Sequence, residues 1–402
     1  MTSSDPAAPA WPAVGWERLT WDAGSRAPAM TRADQRRAHG SYQAAVPAEL
    51  SGLDYRPPAR LAAALEDAAV ELSRYDAEMA SSPAPLDAVL LRSESAASSQ
   101  IENLTASARS VGLAELGDAS RTNAGLVVAN VHAMRSALDL AEDLSVATVL
   151  ALHRALLAES DPDIAGRWRS EPVWIGRSSV SPVGADYVGP RAALVPGLMA
   201  DLMAWASRPD LPVLAQAALV HAQFETIHPF SDGNGRTGRA LLHAMLRHHG
   251  LVRRVTVPVS AGLLADVRGY HAALTAYRAG KPDVIVELTV EAVFRAVGNG
   301  RALAAELDEV RERWRTAVTA RRDSAVWRVA DLFLARPVLD AAQVAAGTGL
   351  AVTNVHRHLE RLTAAGVLTP FPLYRRARAW RADEVLHALD AFAARAGRRT
   401  RS

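Results

Sequence analysis

From Leu61 onward apolar residues return every three or four positions. Leu61, Leu65, Ala68, Leu72 and Tyr75 would line one face of a helix that starts after Pro57 and Pro58. The same rhythm predicts helices in PLDAVLLRSESAASSQIENLTAS, TNAGLVVANVHAMRSALDLAED and SVATVLALHRALLAE, the last opened by Ser145 as an N-cap. It stops at SDPDIAGRWRSEPVWIGRSSVSPVGADYVGP. There Pro, Gly and Ser punctuate two short runs, EPVWIG and ADYVG, which read as a small hairpin. Helices resume with ALVPGLMADLMAWAS, VLAQAALVHAQFETI and GRALLHAMLRHHG, closed by Gly250. The first forty or so residues carry Trp11, Trp16 and Trp21 among Ala, Pro and Ser and show no periodicity, so they read as a loosely packed arm.

A charged helix, GRALAAELDEVRERWRTAVTARRD, precedes a change of pattern. From Ser324 the chain reads as helix VWRVADLFLAR, helix DAAQVAAGTG, helix VTNVHRHLERLTAAG, a hairpin in VLTPFPLYRRARAWRA and a final helix from Asp383. Gly347 and Gly349 are expected to make the turn between two of these helices, and Gly366 to cap the third. The fold class expected is mainly α. The partition is 1–112 for the arm and first helices, 113–300 for a core, 301–323 for a linker helix and 324–402 for a C-terminal module.

Composition narrows the classes. The 402 residues are 49% hydrophobic and 22% charged, enough for two or three ordinary cores. Lys+Arg is 45 against Asp+Glu 43, so no molecule-wide field drives the chain onto nucleic acid or acidic lipid. Lys281 is its one lysine. Cysteine is absent, which excludes disulfides and thiolate metal sites. The start lacks a basic segment followed by an apolar run, and no later stretch is long enough to span a membrane. A cytoplasmic location is expected.

The chemistry concentrates in HPFSDGNGRTGR, His228 to Arg239. Pro229 biases His228 away from the α region, so the preceding helix should end there and leave the ring at a loop mouth. Gly233, Asn234 and Gly235 tolerate positive φ, which lets successive N–H groups turn onto an anion. Leu241, Leu242, Met245 and Leu246 imply a helix beginning right after them. Its N-terminus favours phosphate, and Arg236 and Arg239 lie on one face of its first turn. Asp232 is a lone carboxylate suited to Mg²⁺ that also takes phosphate oxygens and water. A P-loop is excluded because no Gly-Lys-Ser/Thr follows. A dinucleotide fold is excluded because no strand precedes.

This stretch resembles the Fic family motif, His-x-Phe-x-Asp/Glu-Gly-Asn-Gly-Arg-x-x-Arg, at His228, Phe230, Asp232, Gly233, Asn234, Gly235, Arg236 and Arg239. The resemblance implies a helical Fic core with a β-hairpin flap, and transfer of AMP from ATP to a Tyr, Thr or Ser hydroxyl of a target protein. His228 would be the general base, a role worth about 10²–10⁴ in rate. Asp232 would hold Mg²⁺. Asn234 and the loop N–H groups would bind phosphates that Arg236 and Arg239 neutralise. Phe230 would anchor the loop. The flap, 172–190, would pair its edge with an extended target segment, although this chain has Ser181-Pro182-Val183-Gly184 where family flaps often carry two prolines. Tyr270 falls where the family sets an aromatic against the nucleobase; a core position is the other reading, and the sequence leaves both open.

SSQIEN resembles the family's inhibitory pattern at Ser98, Glu102 and Asn103. By that resemblance Glu102 would pair with Arg239 and occupy the γ-phosphate position, and in some relatives the same glutamate aligns a water for AMP removal. His243, His248 and His249 lack the spacing of helical zinc ligands, and His153 and His221 read as satisfied buried histidines. The C-terminal module resembles a winged helix-turn-helix. In that fold Thr353, Asn354, His356 and Arg357 would face a DNA major groove, with Arg375, Arg376 and Arg378 on the wing phosphates. Packing alone is the competing role. A DNA-binding regulator whose core senses nucleotide is the alternative function, and a homodimer is left open.

Overall fold

The structure, a computed structural model, describes residues 11–23, 39–82, 84–117, 123–176, 178, 180–373 and 378–397. It is mainly helical, with three small antiparallel sheets. Helix α1 spans Ala59–Ser81, α2 Leu86–Ile101, α3 Ala108–Ala114, α4 Asn123–Asp139 and α5 Val146–Leu157. They are followed by α6 Val195–Ala206, α7 Val213–Ile227, α8 Asn234–His248, α9 Val259–Leu264, α10 Val267–Arg278 and the long α11 Asp283–Ala317. The C-terminal elements are α12 Ala325–Ala335, α13 Ala341–Thr348, α14 Val352–Ala364 and α15 Asp383–Gly397. The stripe predicted on α1 is buried at all five positions. Ser145 caps α5 by accepting from the Thr148 N–H at 3.3 Å, satisfying a donor that the first turn cannot. No helix among the described residues is long and apolar enough to cross a membrane.

Two compact units interleave along the chain: Met1–Glu66, Ser136–His249 and Arg268–Thr289 form one, and Asp67–Arg135, Gly250–Val267 and Val290–Ser402 the other.

In the first unit α7 is the central helix. Every residue from Leu214 to Ile227 is buried, the polar Gln216, His221, Gln223, Glu225 and Thr226 included, so the helix is packed on all its sides. It lies against α6 and α8. The crossing with α8 is close: a Cβ on Gly238 would stand 2.9 Å from the Phe224 ring, so glycine sets the approach. The predicted flap is present as β3, Trp174–Ile175, paired with β4, Tyr187–Val188.

The N-terminal residues depart from the loose arm expected. Gly15–Asp22 (β1) and His39–Val46 (β2) form an antiparallel hairpin with Gly15 opposite Val46. It packs on the flap. Trp21 meets Trp174 edge-on at 5.8 Å, Trp16 meets Tyr187 at 6.0 Å, and Tyr42, Ala44 and Val188 share a core. Trp11 sits 6.0–6.2 Å from the rings of Tyr55, Trp205 and Tyr277.

In the second unit α2 packs on α9, α12 and α15. Buried Glu94 anchors the start of α9, its Oε2 accepting from the Ser260 N–H at 2.8 Å. Arg92 pairs with Glu115 at 2.8 Å. The C-terminal hairpin, β6 Thr369–Pro372 and β7 Arg378–Arg381, gains a third strand, β5 Val338–Asp340, that the sequence did not suggest. Gly349 caps α13 at φ 69, whereas Gly347 lies inside that helix; Gly366, at φ 74, follows the end of α14 as expected.

Candidate active site

His228 follows the end of α7 where Pro229 suggested, and it sits in the left-handed region, φ 50 and ψ 63. For a residue with a Cβ this costs about 1–2 kcal/mol and has to be held by its surroundings. Arg169 supplies much of that hold. Its side chain is buried and its guanidinium donates to the carbonyls of His228 (Nε, 2.8 Å), Ile227 (3.4 Å), Glu171 (3.0 Å) and Pro190. Its own N–H donates to the Pro229 carbonyl at 3.1 Å. One residue thus ties three successive carbonyls of the His228 turn to the base of the flap, two through its guanidinium and one through its backbone N–H. Burial lowers its pKa to about 10, still protonated at neutral pH.

The loop that follows is fastened at four points. Phe230 is fully buried, stacked on His153 at 3.6 Å and on Trp168 at 5.0 Å, which is the anchoring role expected of it. His153 accepts the Gly166 N–H on Nδ1 at 2.9 Å, so its Nε2 carries the proton and donates to the Asp232 carbonyl at 3.0 Å. Burial keeps this ring below its ordinary pKa, outweighing the bond to Asp232. Gly233 turns the chain at φ 74, and a Cβ there would stand 3.0 Å from the Leu156 side chain. Asn234 completes the loop: its Oδ1 accepts from the Phe230 N–H at 2.9 Å and its Nδ2 donates to the Phe230 carbonyl at 2.8 Å.

Two sequence expectations change here. Helix α8 starts at Asn234, so Asn234 and Gly235 belong to its first turn and Gly233 alone has positive φ. The buried Asn234 side chain is committed to Phe230, which leaves its backbone N–H as the group to offer a phosphate. Arg236 falls in the first turn and Arg239 in the second; both are buried.

Asp232 is the exposed member of the cluster. Its side chain is 70% exposed, with Oδ1 accepting from the Gly233 N–H at 2.7 Å and Oδ2 lying 3.8 Å from Arg236. No group of three or more His, Asp or Glu able to enclose a metal occurs among the described residues. One open carboxylate beside a helix N-terminus nevertheless fits Mg²⁺ brought in by a polyphosphate, since that ion keeps water and phosphate oxygens as most of its ligands.

The His228 ring is 21% exposed, but its Nδ1 is buried and faces Glu225 Oε2 at 3.6 Å. Nε2 is therefore the nitrogen left to meet a substrate. Glu225 is buried, and burial alone would raise its pKa. The contact and charge of His228, with the charges of His221 and Arg239, more than reverse this and hold the carboxyl well below its usual range.

Tyr270 takes the core alternative. It is 3% exposed and its hydroxyl lies 2.8 Å from His221 Nε2, so its assignment to the nucleobase is corrected: the ring has no open face for a base. His248 and His249 are bonded to the carbonyls of Ala141 and Ala206. In the second unit Glu102 is the exposed C-cap residue of α2, Asn103 follows at φ 62, and Ser98 is fully buried. Thr353, Asn354, His356 and Arg357 are exposed on α14 while Val355, His358, Leu359 and Leu362 are buried. Arg378 lies over Trp380 at 5.3 Å; Arg375 and Arg376 fall outside the described residues. Sequence reasoning did not assign a role to Arg169, Glu225 or His153 at this site. Glu225 sits one helical turn before His228, a spacing that could have been noticed.

The loop, the left-handed histidine and the arginine-bearing helix start resemble those of a Fic domain, and comparison with known proteins finds the same likeness. The Fic/DOC family model matches residues 143–246 of this chain. The chain is similar to a protein adenylyltransferase, fic-1, of Caenorhabditis elegans, 33% identical over 112 residues, 27% of this chain and 20% of that protein. It is also similar to a probable protein adenylyltransferase, aq_aa38, of Aquifex aeolicus, 35% identical over 94 residues, 21% of this chain and 29% of that one. The chain thus spans less than a third of the length of either relative. The crystal structure of a Fic family protein from Desulfovibrio desulfuricans G20 aligns with 82% of this chain and 97% of its own, with a TM-score of 0.52 at 22% identity, a likeness of fold.

Proposed function

We propose that the protein transfers AMP from ATP to a Tyr, Thr or Ser hydroxyl of a target protein. The observation that carries this reading is the placement of His228, its Nδ1 buried against Glu225, one short braced loop ahead of a helix N-terminus bearing Arg236 and Arg239. The adenylyltransferase names of the relatives support the choice of group transferred. The target hydroxyl oxygen bonds to the α-phosphorus, its proton passes to His228 Nε2, and the bond from the α-phosphorus to the bridging oxygen breaks so that pyrophosphate leaves with the electron pair. The backbone N–H groups of Gly233, Asn234 and Gly235 and the guanidinium groups of Arg236 and Arg239 hold the polyphosphate. Asp232 would hold Mg²⁺, which when bound neutralises phosphate charge. An extended segment of the target would lie along the flap at 172–190.

Restraint by Glu102, with Ser98 in the same segment, is part of this proposal and rests on the SSQIEN pattern; removal of AMP at the same site is a second activity that pattern suggests. Glu102→Gly is expected to raise auto-AMPylation from labelled ATP at least tenfold, and His228→Ala in that background to abolish it. Label that persists without His228 would remove the enzymatic reading. Equal activity of Glu102→Gly and its parent would remove the restraint.

A second reading, a DNA-binding regulator, is favoured by one observation: the exposed face of α14 gathers Thr353, Asn354, His356 and Arg357. It predicts duplex binding that weakens steeply with salt, and it is compatible with the first.

A further inference from the structure

We infer that Glu225 is a positioning residue of the reaction, the fixed counter-charge that orients the His228 ring and stabilises the cation formed when His228 takes the hydroxyl proton. The inference rests on the transfer reading above for its role in rate, but the pairing itself is a property of the chain.

Three observations converge on it. First, Glu225 and His228 stand one turn apart on the last turn of α7, and the left-handed cap at His228 swings the ring back over that turn, bringing Nδ1 to 3.6 Å from Oε2. Second, both facing atoms are shielded: Nδ1 is buried without a hydrogen bond, and the Glu225 side chain is 8% exposed, so little water screens the pair. Third, Arg169 holds the His228 and Ile227 carbonyls, which fixes the main chain from which the ring projects and keeps its origin beside Glu225. The separation is longer than a full hydrogen bond, as is common before substrate arrives, and protonation of the ring would draw it closer.

A buried carboxylate behind a general-base histidine does two things. It selects the tautomer with the proton on Nδ1, leaving the Nε2 lone pair for the substrate, and it offsets the positive charge that appears on the ring. Glu225 does not act alone. His221 shares its helix, Arg239 approaches from α8, Arg278 of α10 donates to the Glu225 carbonyl at 3.2 Å, and Tyr187 comes from the flap. Arg239 adds to the charges that hold the Glu225 carboxyl below its usual range, after the larger effects of His228 and His221.

The test is Glu225→Gln, which keeps shape and removes charge, in the full chain carrying Glu102→Gly. Transfer of AMP should show kcat lower by on the order of 10 to 100-fold and a smaller change in the KM for ATP, because Glu225 acts on the polyphosphate cradle only through the charge of Arg239. The acid limb of the pH profile should move to lower pH, since a ring that loses its anion holds its proton less tightly. The ring resonance of His228, assigned by comparison with His228→Ala and titrated by NMR, should move the same way. That titration needs no turnover, so it tests the pair even if the parent transfers no AMP. Glu225→Asp, with the charge kept on a shorter arm, should recover part of both effects and serves if the glutamine variant does not fold. An unchanged His228 titration in either variant overturns the inference. So does a kcat within twofold of a parent that is itself active.

Discussion

Replacing Asn234 by alanine separates a brace from a ligand. Its carboxamide makes two bonds to one residue, accepting from the Phe230 N–H and donating to the Phe230 carbonyl, in a place where the side chain is 4% exposed. Alanine strands both backbone groups out of reach of water. At about 1–3 kcal/mol for each orphaned group, partly relieved by local relaxation, the expected loss is about 3 kcal/mol. For a body of about 150–250 residues that is about 6–12 °C in Tm. Asn234→Asp should fall between: one oxygen still accepts from the Phe230 N–H, nothing donates to the carbonyl, and about half the loss remains. The same aspartate puts a negative charge at the start of α8. At about 5 Å from a phosphate and an effective dielectric near 20, it costs about 3 kcal/mol, about two orders of magnitude in affinity. Calorimetry and ATP titration on the three proteins give the answer. Alanine should be the worse of the two for folding and aspartate the worse for nucleotide. An alanine variant that melts within about 2 °C of the parent while losing tenfold or more in ATP affinity would refute the reasoning and make the side chain a phosphate ligand.

Two further outcomes follow from the same geometry. Arg169→Lys keeps the charge but not the planar fork that reaches four carbonyls, and should lose about 2–4 kcal/mol, read as a lower denaturation midpoint at unchanged slope; a change under about 0.5 kcal/mol would show that the turn at His228 holds itself. Tyr270→Leu should lower stability by about 1–3 kcal/mol through the lost ring and the bond to His221, with ATP affinity within about threefold; a loss of tenfold or more in affinity would return Tyr270 to the base site.

The site was legible in twelve residues because the rules that shape it are local. A glycine at positive φ, a proline after a histidine and a helix N-terminus with arginines can each be read without knowing the rest of the fold. What lay outside that reach depends on distance in sequence. His153 bonds a carbonyl 79 residues away, and Arg169 serves carbonyls 58 and 59 residues ahead as well as the flap. The start of α8 was placed too late because Gly, Asn and Gly all tolerate a turn, and nothing local says that only the first of them makes it. The N-terminal hairpin escaped for a different reason. Within GWERLTWD the alternation rests on Leu19 and Trp21 alone, and burial by the flap, rather than any pattern in the strand, is what holds it. Tyr270 shows the opposite hazard, where a matching position in a family suggested a contact that burial overrules.

The hairpin laid across the flap has a practical consequence. A fragment cut to the family boundaries, 143–246, would strip Trp174 and Tyr187 of the tryptophans that cover them and detach Arg191 from its partner Glu17 at 2.7 Å. Such a fragment would present a sticky aromatic face of its own making, and any protein it captured in a binding screen would report on the cut rather than on the native chain.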